Sequence, residues 1–207
     1  MNFVAVILGV YLAFYVNERA KISEEKKEGI LLMQSMINDL SSDIKTCKKY
    51  QIPVNTNYQK AIDSLLLLLS TNQIDEINNQ LLKIFQVENY VPNTSTYNSI
   101  KSAGKMNLIA DLDLQKRLSD YYDGLAIECT KKNEIQVEFF MNELVSWLTL
   151  NADLVEMKLL NGNELMVLKN KLLIYESLVA QKINNYEMIV NESELLKKQL
   201  ESLVQEK

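Results

Sequence analysis

The sequence opens on an apolar run, Phe3 to Val16 (FVAVILGVYLAFYV), that passes without a Gly/Pro break into a charged, helix-favouring stretch, Asn17 to Lys49. That junction constrains the chain more than any other feature. It reads as a helix in lipid continuing as a helix in water, and so predicts an N-terminal anchor, residues 1–17, carrying a helical domain over 18–207. The 14 uninterrupted apolar residues span about 21 Å at about 1.5 Å per residue, short of the ~30 Å hydrocarbon core. A cleaved signal peptide has an apolar region of similar length. Against that reading, no basic residue precedes Phe3, and Asn17-Glu18-Arg19 lacks the small-x-small pattern of a cleavage site. A retained anchor is the better reading, with Arg19 and Lys21 snorkelling to headgroup depth. Its implied first partner is the lipid bilayer.

Ala5, Gly9 and Ala13 stand four residues apart and form one small-residue stripe on that helix. Such stripes let backbones approach closely in lipid, where packing drives helix association. The stripe predicts self-association or assembly with other membrane helices.

Composition narrows the rest. Five Gly and two Pro in 207 residues argue for long helices and few turns. The roughly 190 residues after the anchor suffice for one domain with its own core. Net charge is −5 with both signs interspersed, so no basic stripe suits a nucleic-acid backbone. The chain has no His, which removes His-based triads and His-ligated metals. Cys47 and Cys129 are too few and too far apart for a structural zinc site and read as small buried thiols. No catalytic, cofactor or metal residue is assigned.

The fold class expected is all-α: the N-terminal transmembrane helix continuing into an antiparallel helical bundle with long, coiled-coil-like helices. Ile30, Met33, Ile37, Leu40, Ile44 and Cys47 follow a 3-4-3-4-3 spacing, the seam of a helix packed on helices. Pro53 is expected to end this first helix. A second is expected over Asn57–Ser70, buried on all sides at Leu65–Leu69. Asn72 and Asp75 predict the cap of a third, shorter helix through about Val87. Pro92 opens an irregular stretch, Val91–Ala110, in which Thr94 or Ser95 caps a short helix and Gly104 closes it. Asp111 or Asp113 caps a long helix to about Leu150 on the face Leu114, Leu118, Tyr121, Leu125, Cys129, Val137, Phe140, Leu144 and Leu148. Asp153 with Glu156 predicts one short helical turn, and Asn161 with Glu164 the last helix, whose tail Glu194 and Lys198 support as an i, i+4 pair. Trp147 and Tyr121-Tyr122 are aromatic candidates for a ligand pocket, though aromatics at helical spacing are usually core. Lys131-Lys132 reads as a solvated face.

The segment Pro92-Asn93-Thr94-Ser95-Thr96-Tyr97, then Ile100-Lys101-Ser102-Ala103-Gly104-Lys105, Leu108-Ile109, Leu114 and Tyr121-Tyr122, resembles a stretch of uncharacterised single-pass membrane proteins of the Bacteroidota, a domain of unknown function. The start, ILGVYLAFYVNERAKISEEKKE, resembles that family's anchor and juxtamembrane helix. The likeness covers residues 3 to about 125 well and the C-terminal third loosely. It implies a bacterial inner-membrane protein with a periplasmic bundle and lends no activity. The family carries a basic segment before the anchor and a Trp-Asn-Glu run after it; here no basic segment precedes Phe3, and Val16 precedes Asn17-Glu18. Arg19, Lys21, Lys26 and Lys27 alone would instead hold the bundle in the cytoplasm.

The central motif reads as a wedge, with Pro92 at its start, Gly104 closing its helix, and Tyr97, Ile100, Leu108 and Ile109 packed on the bundle. The alternative is a docking loop with Tyr97 exposed. Two functions remain: an interaction or scaffold subunit, favoured by the small-residue stripe and the long heptad helices, presenting its bundle to protein partners as a homo-oligomer or within a membrane complex; or an extracytoplasmic ligand-sensing bundle.

Overall fold

The computed structural model describes residues 3–85, 87, 89–160 and 164–205; the side chains of residues 3–6 also lie outside the description. The chain is built almost wholly of helix, and its long helices pack antiparallel. The first is α1, Phe3–Thr46, unbroken across residue 17. A π turn, Cys47–Gln51, joins it directly to α2, Ile52–Ser70.

Pro53 therefore does not end the first helix. Proline lacks an N–H and its ring crowds the carbonyl one turn back. The π turn widens the helix just before it: the Ile52 N–H donates to the Cys47 carbonyl, and Gln51 and Ile52 keep right-handed helical angles. Pro53 then falls in the first turn of α2, where a missing N–H costs least. The Asn55 amide donates to the Gln51 carbonyl at 2.7 Å and the Thr56 hydroxyl to that of Ile52 at 2.8 Å, each bonding back one turn along the helix.

The end of α2 also departs from expectation. Asn72 sits at φ 54° as the left-handed residue after the helix, with Gln73 N–H donating back to Leu68 O at 3.1 Å. This is a Schellman closure, and Asn tolerates that conformation better than most residues. Asn72 thus ends one helix and does not cap the next, α3, Ile74–Gln80, which begins without a side-chain cap and runs into a 3₁₀ turn, Leu81–Ile84. The five leucines are not buried all round: Leu65 and Leu69 face the core while Leu67 is exposed.

A segment without helix or strand, 89–94, leads to α4, Ser95–Ser102, and a 3₁₀ turn, Met106–Leu108. Next come α5 (Leu112–Ser119), α6 (Ala126–Phe139) and α7 (Ser146–Asn151), joined end to end by π turns at Asp120–Leu125 and Phe140–Val145. Asp111 is the cap, its side chain accepting from Leu114 N–H at 3.0 Å. Asp153 and Glu156 make no helical turn: β1 (Ala152–Asp153) and β2 (Lys158–Leu159) form a two-residue antiparallel hairpin whose turn Asp153 holds by accepting from Val155 and Glu156 N–H. The last helix, α8, spans Leu165–Gln205; the Asn161 cap lies outside the described residues. Glu194 reaches Lys48 in the π turn after α1 at 2.5 Å, so it pairs across the bundle instead of along its own helix.

Helix α8 runs back along α2 and then α1, and also packs on α5, α6 and the π turns that follow them. Two apolar cores result. The proximal core gathers Met33, Met36 and Leu40 with Leu114, Leu118, Tyr121, Ile189 and Leu196. The distal core gathers Ile62 and Leu65 with Ile77, Leu81, Leu144, Trp147, Leu168 and Leu172. Each fully buried Leu, Ile or Met in them contributes about 1.5–3 kcal/mol.

Candidate functional site

The bundle does not reach the start of α1. Residues 7–27 are exposed throughout, and contact with the rest of the chain begins at Glu28 and Gly29. Ile7, Leu8, Val10, Leu12 and Val16 each expose more than half their surface, and Phe14 exposes 70%. A helix apolar on every side and covered by none of the described residues is rare on a water-facing surface. Arg19 folds back so that its guanidinium lies 5.0 Å from the centre of the Tyr15 ring, at the boundary between apolar and charged residues. Nothing lies within 4 Å of a Cβ built on Gly9, so the face carrying Gly9 and Ala13 is open; the Ala5 side chain lies outside the described ones. Among the described residues no helix is long and apolar enough to cross a membrane.

Deeper in the bundle, a polar layer separates the two cores. Gln51, Asn55, Asn133, Gln136, Lys182 and Asn185 are all buried, Lys182 completely. Buried polar groups are costly unless hydrogen-bonded. Here the Lys182 ammonium donates to Gln136 Oε1 at 2.9 Å, and Gln136 Nε2 donates to the Tyr175 hydroxyl at 2.8 Å. Lys132 donates to Asn185 Oδ1 at 2.9 Å while pairing with Glu128 at 2.7 Å, so it belongs to this layer as much as to the surface. Gln51 Oε1, Asn55 Oδ1 and Asn185 Nδ2 have no hydrogen-bond partner. The sequence reading passed over these residues and placed Val137 on the face, yet Val137 is half-buried while Asn133 and Gln136 point inward. The gap between Val179 and Tyr186 on α8, where Lys182 falls at the next heptad step, was the available signal.

The proximal core holds a second polar group. Asp43 is 2% exposed, and Ile44, expected on the seam, is only half-buried. The Asp43 carboxylate accepts from the Tyr90 hydroxyl and from the Asn93 N–H at 3.1 and 3.2 Å. Asn93 also donates its side-chain amide to Asp39 at 2.8 Å. Tyr90 is held further by Asn133, whose amide donates to the Tyr90 carbonyl at 2.5 Å, and by edge contact with the Tyr186 ring at 6.0 Å. Burial pushes the Asp43 carboxyl up to about 6 against the lowering pull of Tyr90 and Asn93. Burial likewise pushes the Cys47 thiol up to about 12 and Cys129 to about 11; both are free and buried.

The central motif is packed, not presented. Tyr97 is buried, stacked on Tyr122 with ring centres 4.5 Å apart, and its hydroxyl donates to Asp123 at 2.7 Å. Lys101 and Ser119 donate to the same carboxylate oxygen at 2.7 and 3.1 Å. Gly104, at φ 67°, closes α4 in a Schellman motif, with Lys105 N–H donating to Ile100 O at 2.9 Å and Gly104 N–H to Lys101 O at 3.1 Å. Pro92 and Ile109 are buried, whereas Leu108 is only half-buried; its carbonyl and Cβ lie against Gly29 of α1. Thr94 caps α4 with its backbone alone; Asn93 Oδ1 takes the Ser95 N–H and hydroxyl.

Trp147 and the Tyr121-Tyr122 pair are core side chains. A groove of about 380 Å³ does run along the surface between α5–α6 and α8, over Tyr121, Gly124, Leu125 and Met188, with Arg117, Asp120, Glu128 and Glu192 at its rim. Among the described residues no three His, Cys, Asp or Glu side chains converge as a metal site would require. The arrangement defines an all-α bundle with an exposed apolar helix end and a buried polar layer. Comparison with family models, curated proteins and solved structures finds no match for this chain.

Proposed function

We propose that the chain is a membrane-anchored helical interaction or scaffold subunit, holding its bundle on a rigid stalk for protein partners. The observation that carries this reading is the exposed, all-round apolar start of α1, continuous with the helix that organises the bundle. Lipid is the chemistry that covers such a surface without a complementary groove. Residues 17–27 form about three turns of bare charged helix, a stalk of about 15 Å between the apolar segment and the first packed residues. The open face at Gly9 and Ala13 supports lateral assembly with a second copy or another membrane helix. In this reading the membrane is the bacterial inner membrane and the bundle is periplasmic, as the sequence resemblance implies.

A second reading, an extracytoplasmic ligand-sensing bundle, draws on the groove over Tyr121 and Gly124. Chemical crosslinking in native membranes, followed by purification of the full chain and identification of the captured chains, separates the two. The scaffold reading expects a reproducible partner or a second copy; a chain that purifies alone and monomeric contradicts it. Orientation is read by a Ser70→Cys variant: Ser70 is exposed and both native thiols are buried, so labelling of intact cells by a membrane-impermeant maleimide reports a periplasmic bundle.

A further inference from the structure

We propose that the groove between α5–α6 and α8 docks a basic amphipathic helix of a partner protein, which lays small or apolar side chains over Gly124 and sets lysine or arginine at its flanks. This rests on the scaffold reading and names the chemistry of the partner.

Gly124 is the leading observation. It lies in the π turn Asp120–Leu125, inside a continuous helical run, where glycine destabilises relative to alanine. Two other glycines answer to their own chain: a Cβ on Gly29 would meet the Leu108 carbonyl, and Gly104 holds φ 67°. Gly124 meets neither demand. Its φ is not positive, and nothing lies within 4 Å of a Cβ built on it. Its missing side chain opens the groove that it lines, and leaves room for a backbone from outside the chain to come close.

The groove has the form of a helix seat. On α5–α6 its lining runs from Arg117 to Glu128, about 16 Å at about 1.5 Å per residue, or three helical turns. Leu125 and Met188 give it an apolar floor. Met188 is 42% exposed, and Leu195, two turns further on the same face of α8, is 50% exposed. A strip of this kind, set between two helices, takes the apolar face of a third.

Charge selects the partner. Arg117 is engaged by Glu192 at 3.2 Å, and Glu128 by Lys132 at 2.7 Å. Asp120 on the groove and Asp113, two turns before it on the same side, are both exposed, and neither enters an ion pair among the described residues. Cations two turns apart on a docked helix meet that surplus.

The test is titration calorimetry of the full chain in nonionic detergent, blanked against detergent alone, with a synthetic helix of about four turns whose Ala/Leu face is flanked by Lys. The Lys peptide binds, and binds more weakly as salt is added; the same peptide with Glu for every Lys does not. Gly124→Leu fills the groove and lowers affinity by about tenfold or more while the chain keeps its fold and melting. Should that variant fail to fold, the Asp113→Lys, Asp120→Lys double variant serves instead, and shifts preference to the Glu peptide. Absence of binding by the Lys peptide overturns the proposal, as does equal binding by the wild type and the variants. A wild-type dimer that Gly124→Leu dissociates also overturns it, by putting a second copy in the groove. Crosslinking in native membranes separates the two readings: if wild type and Gly124→Leu capture the same chain, the groove fails and the scaffold stands, whereas a wild-type chain that captures nothing overturns both.

Discussion

The carbonyl oxygen of Leu108 lies so close to Gly29 that a Cβ built on that glycine would stand 2.9 Å from it. Gly29 lies within α1, where glycine costs about 1 kcal/mol relative to alanine. It is the seat for the 106–108 turn, locked beside it by the Lys105–Glu28 ion pair. Gly29→Ala is expected to lower stability by about 1–2 kcal/mol despite its better helix propensity, because backbone must move to admit the methyl. Gly124→Ala meets nothing within 4 Å and is expected to gain up to about 1 kcal/mol. Thermal melting of the pair checks both signs; a stabilised Gly29→Ala would show that the turn yields freely.

Gly104 is constrained differently. Its surroundings are open, so the demand comes from φ 67° alone. Gly104→Val is expected to cost about 1–2 kcal/mol from left-handed strain, and Gly104→Asn distinctly less. Tyr97→Ala is expected to cost about 3–5 kcal/mol, since it empties the Tyr122 stack and leaves Asp123 one donor short. Wild-type melting of Tyr97→Ala with lost partner capture would restore the docking-loop reading.

What was legible in the sequence follows local rules. The unbroken run through residue 17, the Asp111 cap, the long helix to Asn151 and the left-handed Gly104 all rest on neighbours within a turn or two. The misses rest on distant partners. Nothing near Pro53 announces the π turn that carries the helix past it, and nothing near Asp43 announces that Tyr90 and Asn93, some fifty residues on, draw it inward in place of Ile44. The polar layer was half legible, since Lys182 occupies a heptad position, but its acceptor Gln136 lies on another helix.

The Asp43 carboxyl also predicts a pH dependence of global stability. Its folded value, about 6, exceeds the ordinary 3.8, so the folded state binds more protons in the window between them. Its contribution is most favourable below that window and is lost as pH rises through about 6. Wild type is expected to gain up to about 2–3 kcal/mol relative to Asp43→Asn between about pH 7.5 and about pH 4, and Asp43→Asn to be the more stable protein at neutral pH. Denaturant melts across that range decide it; a less stable Asp43→Asn at neutral pH would mean the ionised carboxylate is a net stabiliser.

The raised Cys47 and Cys129 thiols, both buried, predict negligible native labelling by a neutral-pH maleimide and full labelling in denaturant. Labelling of native protein would place one thiol in an open, exposed state.

On the proposed anchor, Gly9→Ile is expected to weaken crosslinked dimers in lipid while leaving insertion intact, because the new side chain fills the open face between Gly9 and Ala13. Unchanged oligomer size would remove the stripe as an interface.

The central claim, that the exposed apolar start of α1 sits in a bilayer, is tested most directly by flotation of the full chain with lipid vesicles under alkaline carbonate, beside a Leu8→Lys, Leu12→Lys double variant. Both leucines are more than half exposed, so the substitutions leave the bundle's cores untouched. The account predicts that the wild-type chain floats with the vesicles and that the double variant stays at the bottom with an unchanged melting temperature. A wild-type chain that stays at the bottom as a stable monomer would contradict it.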